Sequence, residues 1–268
     1  MTASGADPCP EAFVALAERL AERAREVTDR YFRGPLSVEQ KADLSPVTAA
    51  DRETEAAMRS MIAEAYPDHG ILGEEHRPER AGARFLWVID PIDGTKRFIT
   101  GHVQFGTLIA LLDRGRPILG VIDMPQMGER WLGAAGRPSV HRDRRGSREV
   151  RTRTCADLGA ASLYATSPQM FEGADAAAFE RLRAAVRTPL FGGECYAYGL
   201  LASGFNDLVV EADMDPYDYL AQVAVIAGAG GLITDWQGRP LGLESDGRVL
   251  AAGDPAVHRQ AMALLAGT

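Results

Sequence analysis

Phe85-Leu-Trp-Val-Ile-Asp-Pro-Ile-Asp-Gly-Thr-Lys-Arg-Phe-Ile-Thr-Gly101 is the stretch whose reading decides the fold. Five apolar residues, Phe85 to Ile89, form a continuous run of the length and composition of a buried strand. Asp90 follows at once, and Pro91 is expected to end the regular ladder because proline has no N–H to give. Asp93, Gly94 and Thr95 then make a tight turn in which glycine lets the backbone approach a ligand. A strand end therefore delivers two carboxylates into one turn. An Asx-capped Asp-Gly turn would account for these residue types by itself. It does not account for an ionised group placed straight after a fully apolar strand, where a charge is costly unless paired or bound to a metal.

A second acidic pair, Glu74-Glu75, ends the apolar segment Gly70-Ile-Leu-Gly73. Two strand ends bearing carboxylates can converge on a hard cation such as magnesium, which takes oxygen ligands and is commonly shared with substrate phosphates.

Together, Gly73-Glu-Glu75 and Trp87-Val-Ile-Asp-Pro-Ile-Asp-Gly-Thr95 resemble the signature of the inositol monophosphatase superfamily of magnesium-dependent phosphatases. The resemblance runs from about residue 38 to 265. It implies a layered α-β-α-β-α sugar-phosphatase fold of mixed α+β and α/β character, with two or three Mg2+ ions. It implies that Asp90 bridges two metals, that Glu74 and the Ile92 carbonyl complete one site, and that Asp93 and Asp218 complete the other. Gly94 and Thr95 would offer backbone N–H groups to the phosphate. Asp51, in a Ser45-Pro-Val…Thr48-x-x-Asp51 segment like one in the superfamily, would pair with Thr95 to orient the attacking water, with Lys41 as a loop residue nearby and Glu74 assisting. Glu75 would be an outer carboxylate.

Composition sets the limits around this site. The chain has 268 residues, 46% hydrophobic and 25% charged, with net charge −8. That is ordinary for a globular protein and disfavours general nucleic-acid binding. Cys9, Cys155 and Cys195 have no metal or redox spacing. The residues Met1 to Pro8 do not read as a signal peptide, and no apolar run approaches the ~20 residues of a membrane span. The expectation is a cytoplasmic enzyme without a membrane partner.

In chain order, Phe13, Leu16, Ala17, Leu20, Ala24, Val27 and Tyr31 trace the apolar stripe of a helix. Thr48 and Asp51 have capping-box spacing at the head of a second helix running to about Tyr66. Residues 105–112 and 117–122 read as a hairpin, and 129–134 as a further strand. Residues 137–153 hold seven arginines; an RNA-binding patch and a solvated loop between subdomains are the two readings, and the absence of interleaved aromatics favours the loop. The back half alternates strand and helix. Asp215-Pro216 suits an N-cap and first helical position, which puts Asp218 in the first turn. Gly228-Ala-Gly230-Gly231 follows a helix and lacks the third glycine of a dinucleotide fingerprint, so it reads as a helix end. The expected division is residues 1–150, carrying most ligands, and 151–268, carrying the last ligand and the specificity residues, in one catalytic unit.

Substrate choice rests on finer features. Inositol-specific members read Gly-Thr-Thr-Asn-Phe at the turn. Gly94-Thr-Lys-Arg-Phe-Ile-Thr-Gly101 is instead similar to the histidinol-phosphate phosphatases of the superfamily, as is Gly193-Glu-Cys-Tyr-Ala-Tyr198, where Glu194 stands for their usual aspartate. Glu194, Glu211 and Asp213 could pair with the ammonium and imidazole of histidinol phosphate, Glu211 foremost. The leading expectation is thus a histidinol-phosphatase of histidine biosynthesis, a small-molecule monoester hydrolase and homodimer by resemblance. An inositol or sugar monophosphatase with the same site, and an RNA- or transcription-associated binding protein, remain as alternatives. A sulfur-assimilation nucleotide phosphatase is disfavoured, since no insertion would enclose an adenine.

Overall fold

The computed structural model describes residues 8–35, 37–40 and 46–267. The expectation for Lys41 lies outside the described residues.

Helix α1 (Glu11–Tyr31) buries Phe13, Leu16, Leu20, Ala24 and Val27 along one stripe. A hairpin of β1 (Val38–Gln40) and β2 (Pro46–Thr48) leads into α2 (Ala49–Ala65). Strands β3 (Gly70–Gly73) and β4 (Phe85–Asp93) follow, then the one-turn helix α3 (Thr95–Ile99). Strands β5 (Gly106–Asp113), β6 (Arg116–Met124), β7 (Glu129–Ala134), β8 (Val140–Asp143) and β9 (Gly146–Glu149) meander back and forth. The remainder runs β10 (Ser162–Ala165), α4 (Gly173–Ala185), β11 (Thr188–Phe191), α5 (Glu194–Ala202), β12 (Leu208–Glu211), α6 (Pro216–Gly228), β13 (Leu232–Thr234), β14 (Val249–Ala252) and α7 (Pro255–Ala266).

Strands β3 to β9 form a seven-stranded sheet in sequence order, and the other sheet has the order β11-β10-β12-β14-β13. In the larger sheet β3 lies parallel to β4 and every later pair is antiparallel.

Period-two alternation along β4 decides the layering. Trp87 and Ile89 face Leu16, Leu20, Met58 and Ile62 of α1 and α2. Leu86 and Val88 face the opposite side, where Tyr198 and Leu201 of α5 and Leu220 and Val225 of α6 pack. The second sheet closes this middle layer with Val209, Val249 and Ala251, while its other face, Leu163, Val210 and Leu250, packs on Phe179 and Leu182 of α4 and Val257 and Ala261 of α7. The order is therefore α1/α2, seven-stranded sheet, α5/α6, five-stranded sheet, α4/α7: the five-layer architecture expected from the sequence. At about 1.5–3 kcal/mol for each fully buried aliphatic or aromatic side chain, these four apolar interfaces are the main force holding the layers together.

Three local expectations are corrected. The regular ladder breaks at Pro91 as expected, but β4 itself runs on to Asp93 through a register shift. Residues 137–153 are not a loop, since β8 and β9 extend the large sheet there. Their arginines are drawn to acids: Arg137 to Glu11, Arg142 to Glu18, Arg148 to Asp143 and Arg153 to Asp207. Strand β11 and the β1–β2 pair are additions to the expected elements; each strand is only three or four residues long, too short to carry a period in sequence.

Candidate metal centre and active site

Strand parity places the first two carboxylates. Asp90 shares its side of β4 with Leu86 and Val88, so it points into the middle layer, 2% exposed. In the parallel pair β3–β4, Leu72 lies opposite Val88, so Glu74, two residues on, falls on the same side. Asp93 has the wrong parity to join them. The chain solves this with a β-bulge: Asp90 pairs with Leu108 and Asp93 with Gly106, three residues against two. The extra residue turns Asp93 to the side of Asp90, the re-aiming that bulges provide next to functional sites. Asp90 Oδ1 accepts from the Ile92 N–H at 2.9 Å, and Thr107 Oγ1 donates to the Pro91 carbonyl at 2.8 Å, which pins the bulge.

Asp218 comes from the first turn of α6. The N–H of Asp215, the N-cap residue, donates to Asp218 Oδ2 at 2.8 Å, and Pro216 occupies the first helical position as expected. Carboxylate oxygens of Asp90, Asp93 and Asp218 all lie within 4.8 Å of one another. Burial, then the charges of Glu74, Asp93 and Asp218, push Asp90 well above the usual carboxylate range. Burial and the charge of Asp93 do the same to Asp218. Burial raises Asp93 as well, opposed by the Cys195 N–H that donates to its Oδ2 at 2.9 Å. Like charges packed this closely must take up protons or share a cation, and a donor set made of carboxylate oxygens fits a hard divalent ion.

The turn after β4 holds the remaining expected residues. Gly94 adopts φ +83° and caps α3. Thr95 Oγ1 donates to the Ile92 carbonyl at 3.2 Å and approaches Asp51 Oδ1 at 3.5 Å. Asp51 is fully buried; its Oδ2 accepts from the Thr48 N–H at 2.8 Å and from Thr48 Oγ1 at 2.7 Å. Burial raises its carboxyl, and the Thr48 bonds hold the rise in check. The capping box and the approach to Thr95 thus coexist: one Asp51 oxygen serves the helix and the other faces the site.

Glu194 heads α5 with its side chain against the Gly94 turn, and Arg97 Nε donates to its Oε1 at 2.9 Å. Glu211, at the end of β12, is buried. Its Oε1 accepts from Thr166 N–H (3.0 Å) and Oγ1 (2.5 Å), and its Oε2 from the Tyr198 hydroxyl at 3.3 Å. Burial pushes Glu211 up to about 7, against the Thr166 bonds. Asp213 is exposed and lines a separate depression with Glu172, Asp175, Asp246 and Arg248, so it does not join Glu194 and Glu211.

Sequence reasoning missed Glu55. This fully buried acid accepts from the N–H groups of Glu75 (2.7 Å) and His76 (3.1 Å) and pairs with Arg59 at 2.7 Å. It therefore shapes the turn that presents Glu74. Gly73 is required there, because a Cβ would come within 2.2 Å of Glu55 Oε1. The available signal was a charged i,i+4 pair, Glu55 and Arg59, on the same face of α2 as Met58 and Ile62. The backbone N–H of Cys195 had no side-chain signature.

The family model described as "Inositol monophosphatase family" matches residues 10–268, and the chain belongs to that family of phosphatases. The bifunctional phosphatase IMPL2, chloroplastic, of Arabidopsis thaliana is 48% identical over 93% of this chain and 74% of its own. The histidinol-phosphatase of Chlorobaculum parvum is 35% identical over 88% of this chain and 90% of its own. Among solved structures, an inositol monophosphatase from Zymomonas mobilis superposes with TM-score 0.87 at 45% identity, covering 96% of this chain and 98% of that one. No helix among the described residues is long and apolar enough to cross a membrane.

Proposed function

We propose that the chain is a magnesium-dependent histidinol-phosphatase that converts L-histidinol phosphate and water to L-histidinol and phosphate. The observation that carries the reaction class is the convergence of Asp90, Asp93 and Asp218 beside Glu74 and the Asp51–Thr95 pair. Glu74, Asp90, the Ile92 carbonyl, Asp93 and Asp218 would hold two or three Mg2+ ions. When bound, these ions supply the charge that stabilises the attacking and leaving oxygens of an in-line phosphoryl displacement. The Gly94 and Thr95 N–H groups hold phosphate oxygens. Thr95 and Asp51 orient the attacking water, whose proton passes through the Thr95 hydroxyl to Asp51; the ester P–O bond breaks as the new one forms, and the leaving alkoxide takes a proton from a solvent water, whose hydroxide recovers the one held by Asp51.

Support for the cationic substrate comes from the buried, unpartnered Oε2 of Glu194 and from relatives named as histidinol-phosphatases. A neutral-alcohol substrate such as inositol 1-phosphate has support of its own in the Zymomonas mobilis structure, described as an inositol monophosphatase. Phosphate release from both monoesters with magnesium, beside an Asp90→Asn control, separates the two readings. Faster turnover of histidinol phosphate, lost in the control, is expected; preference for inositol 1-phosphate would sink the substrate assignment and leave the reaction class standing. Release by the control at the rate of the unaltered enzyme would sink the metal-site assignment.

A further inference from the structure

The pair Arg97–Glu194 joins two segments that are 97 residues apart and meet at the edge of the acidic cluster. Glu194 has φ +42°, a left-handed backbone that side chains other than glycine's adopt at a cost. Its side chain is only 10% exposed, yet Oε2 is buried with no partner. A buried, unpartnered carboxylate oxygen is expensive, about 1–3 kcal/mol or more, unless a ligand supplies the missing donor. The other oxygen is committed to Arg97. The guanidinium is itself fixed in place: it lies over Gly192, where a Cβ would come within 2.4 Å of Nη2. Gln104 clamps the same loop by donating to the Gly192 and Gly193 carbonyls at 2.7 and 3.1 Å. The next residue, Cys195, gives its N–H to Asp93, so the position of Glu194 is tied directly to the cluster.

We propose that Arg97 is a positioning residue for substrate specificity: by holding Glu194 Oε1 it aims Oε2 at the ammonium or imidazole N–H of a cationic phosphate monoester. The inference rests on the cationic-substrate reading above. Arginine suits the task because its planar fork fixes direction as well as charge.

The test uses the magnesium-loaded enzyme with Arg97→Ala, Arg97→Lys, Glu194→Gln and the Arg97→Ala/Glu194→Gln double variant, with melting temperatures to check folding. Arg97→Ala should raise KM for histidinol phosphate about tenfold with kcat within about twofold, the scale of one charge-assisted hydrogen bond. The ratio of kcat/KM for histidinol phosphate over inositol 1-phosphate should fall by the same factor, and Arg97→Lys should recover part of it. In the Glu194→Gln background, Arg97→Ala should cost nothing further. An equal rise of KM for both monoesters, or a full penalty that persists without Glu194, overturns the inference. If the unaltered enzyme does not hydrolyse histidinol phosphate, the substrate assignment itself falls. Inhibition of inositol 1-phosphate hydrolysis by histidinol then decides the role of Arg97, which an unaltered inhibition constant in Arg97→Ala would overturn.

Discussion

Replacing Asp90 with asparagine should stabilise the metal-free protein while abolishing its response to magnesium. Two full charges 4.8 Å apart repel by roughly 3.5 kcal/mol at an effective dielectric constant of ~20. Asp90 takes part in two such pairs in the cluster and stands beside Glu74 as well. Burial first, and then this repulsion, raise its carboxyl from 3.8, and proton uptake relieves part of the cost. The sign follows: between 3.8 and the raised value the folded state holds a proton that the unfolded state has released. Metal-free stability therefore falls as pH rises through that window, by about 1.36 kcal/mol for each pH unit crossed. Asparagine keeps the shape and removes the charge. If about 2 kcal/mol survives after relaxation, the metal-free melting temperature rises by about 4–8 °C for a chain of this size. Magnesium at a hundred times its dissociation constant should add about 2.7 kcal/mol to the unaltered protein and little to the variant. The assay is thermal unfolding of both proteins from pH 5 to 8, with chelator and with magnesium. An Asp90→Asn protein that melts below the parent without metal, and gains as much from magnesium, would refute the account of a mutually repelling cation site.

Three further outcomes follow from the same geometry. Glu55→Gln should cost about 2–4 kcal/mol in denaturant unfolding, because Arg59 loses its buried anion and keeps only the half-exposed Glu79, and one acceptor for Glu75 and His76 is lost; unaltered stability would argue against Glu55 as the anchor of that turn. Thr95→Val should lower kcat by about 10²-fold or more with KM little changed, the loss expected when a proton-handling group acts in the transition state; a pure KM effect would assign Thr95 to substrate binding instead. Glu211, raised from 4.5 to about 7 chiefly by burial, binds a proton in the folded state that the unfolded state has lost. In magnesium-free buffer its stabilising contribution should fall by about 3 kcal/mol as pH rises across that window, at about 1.36 kcal/mol per pH unit. Glu211→Gln should flatten the stability curve there, and an unaltered slope would place the titration on another group.

The reach of sequence reasoning can be traced through β4. Five apolar residues and a carboxylate were enough to mark a buried strand that carries an acid inward, because burial and charge are written in residue type. The bulge was not legible: Pro91 argued for an end to pairing, whereas the ladder resumes at Asp93 with one residue in excess. That outcome depends on Thr107 from β5 reaching the Pro91 carbonyl, a contact that no local pattern announces. Helices α1, α2 and α6 were readable for the opposite reason, since stripe, cap and first-turn proline all lie within a few residues of one another. The charge run at 137–153 is solvated as its composition indicates, and what it hid was the strand pairing of β8 and β9 and the acids Glu11, Glu18 and Asp207, which are distant in sequence.

The site is assembled from pieces that do not favour one another without a ligand. Asp90 and Asp93 ride on the large sheet, Asp218 heads a helix of the middle layer, and Glu194 starts a neighbouring helix in a left-handed conformation. Their mutual repulsion is borne by the apolar interfaces on either side, where Tyr198, Tyr219, Leu220 and Leu201 are fully buried. A cation at the cluster would turn that repulsion into a tie between the sheet and the helix layer. Ligand binding and cohesion of these layers are therefore coupled: substitutions in the α5–α6 packing, far from any carboxylate, should weaken magnesium affinity along with stability, whereas equal losses of stability in the α4–α7 layer should leave magnesium affinity unaltered. Leu220→Ala against Leu182→Ala, each expected to cost about 2–5 kcal/mol, makes the comparison at matched damage. Magnesium titrations followed by calorimetry on the two variants would detect the difference, and identical affinities would show that the layers and the site are independent.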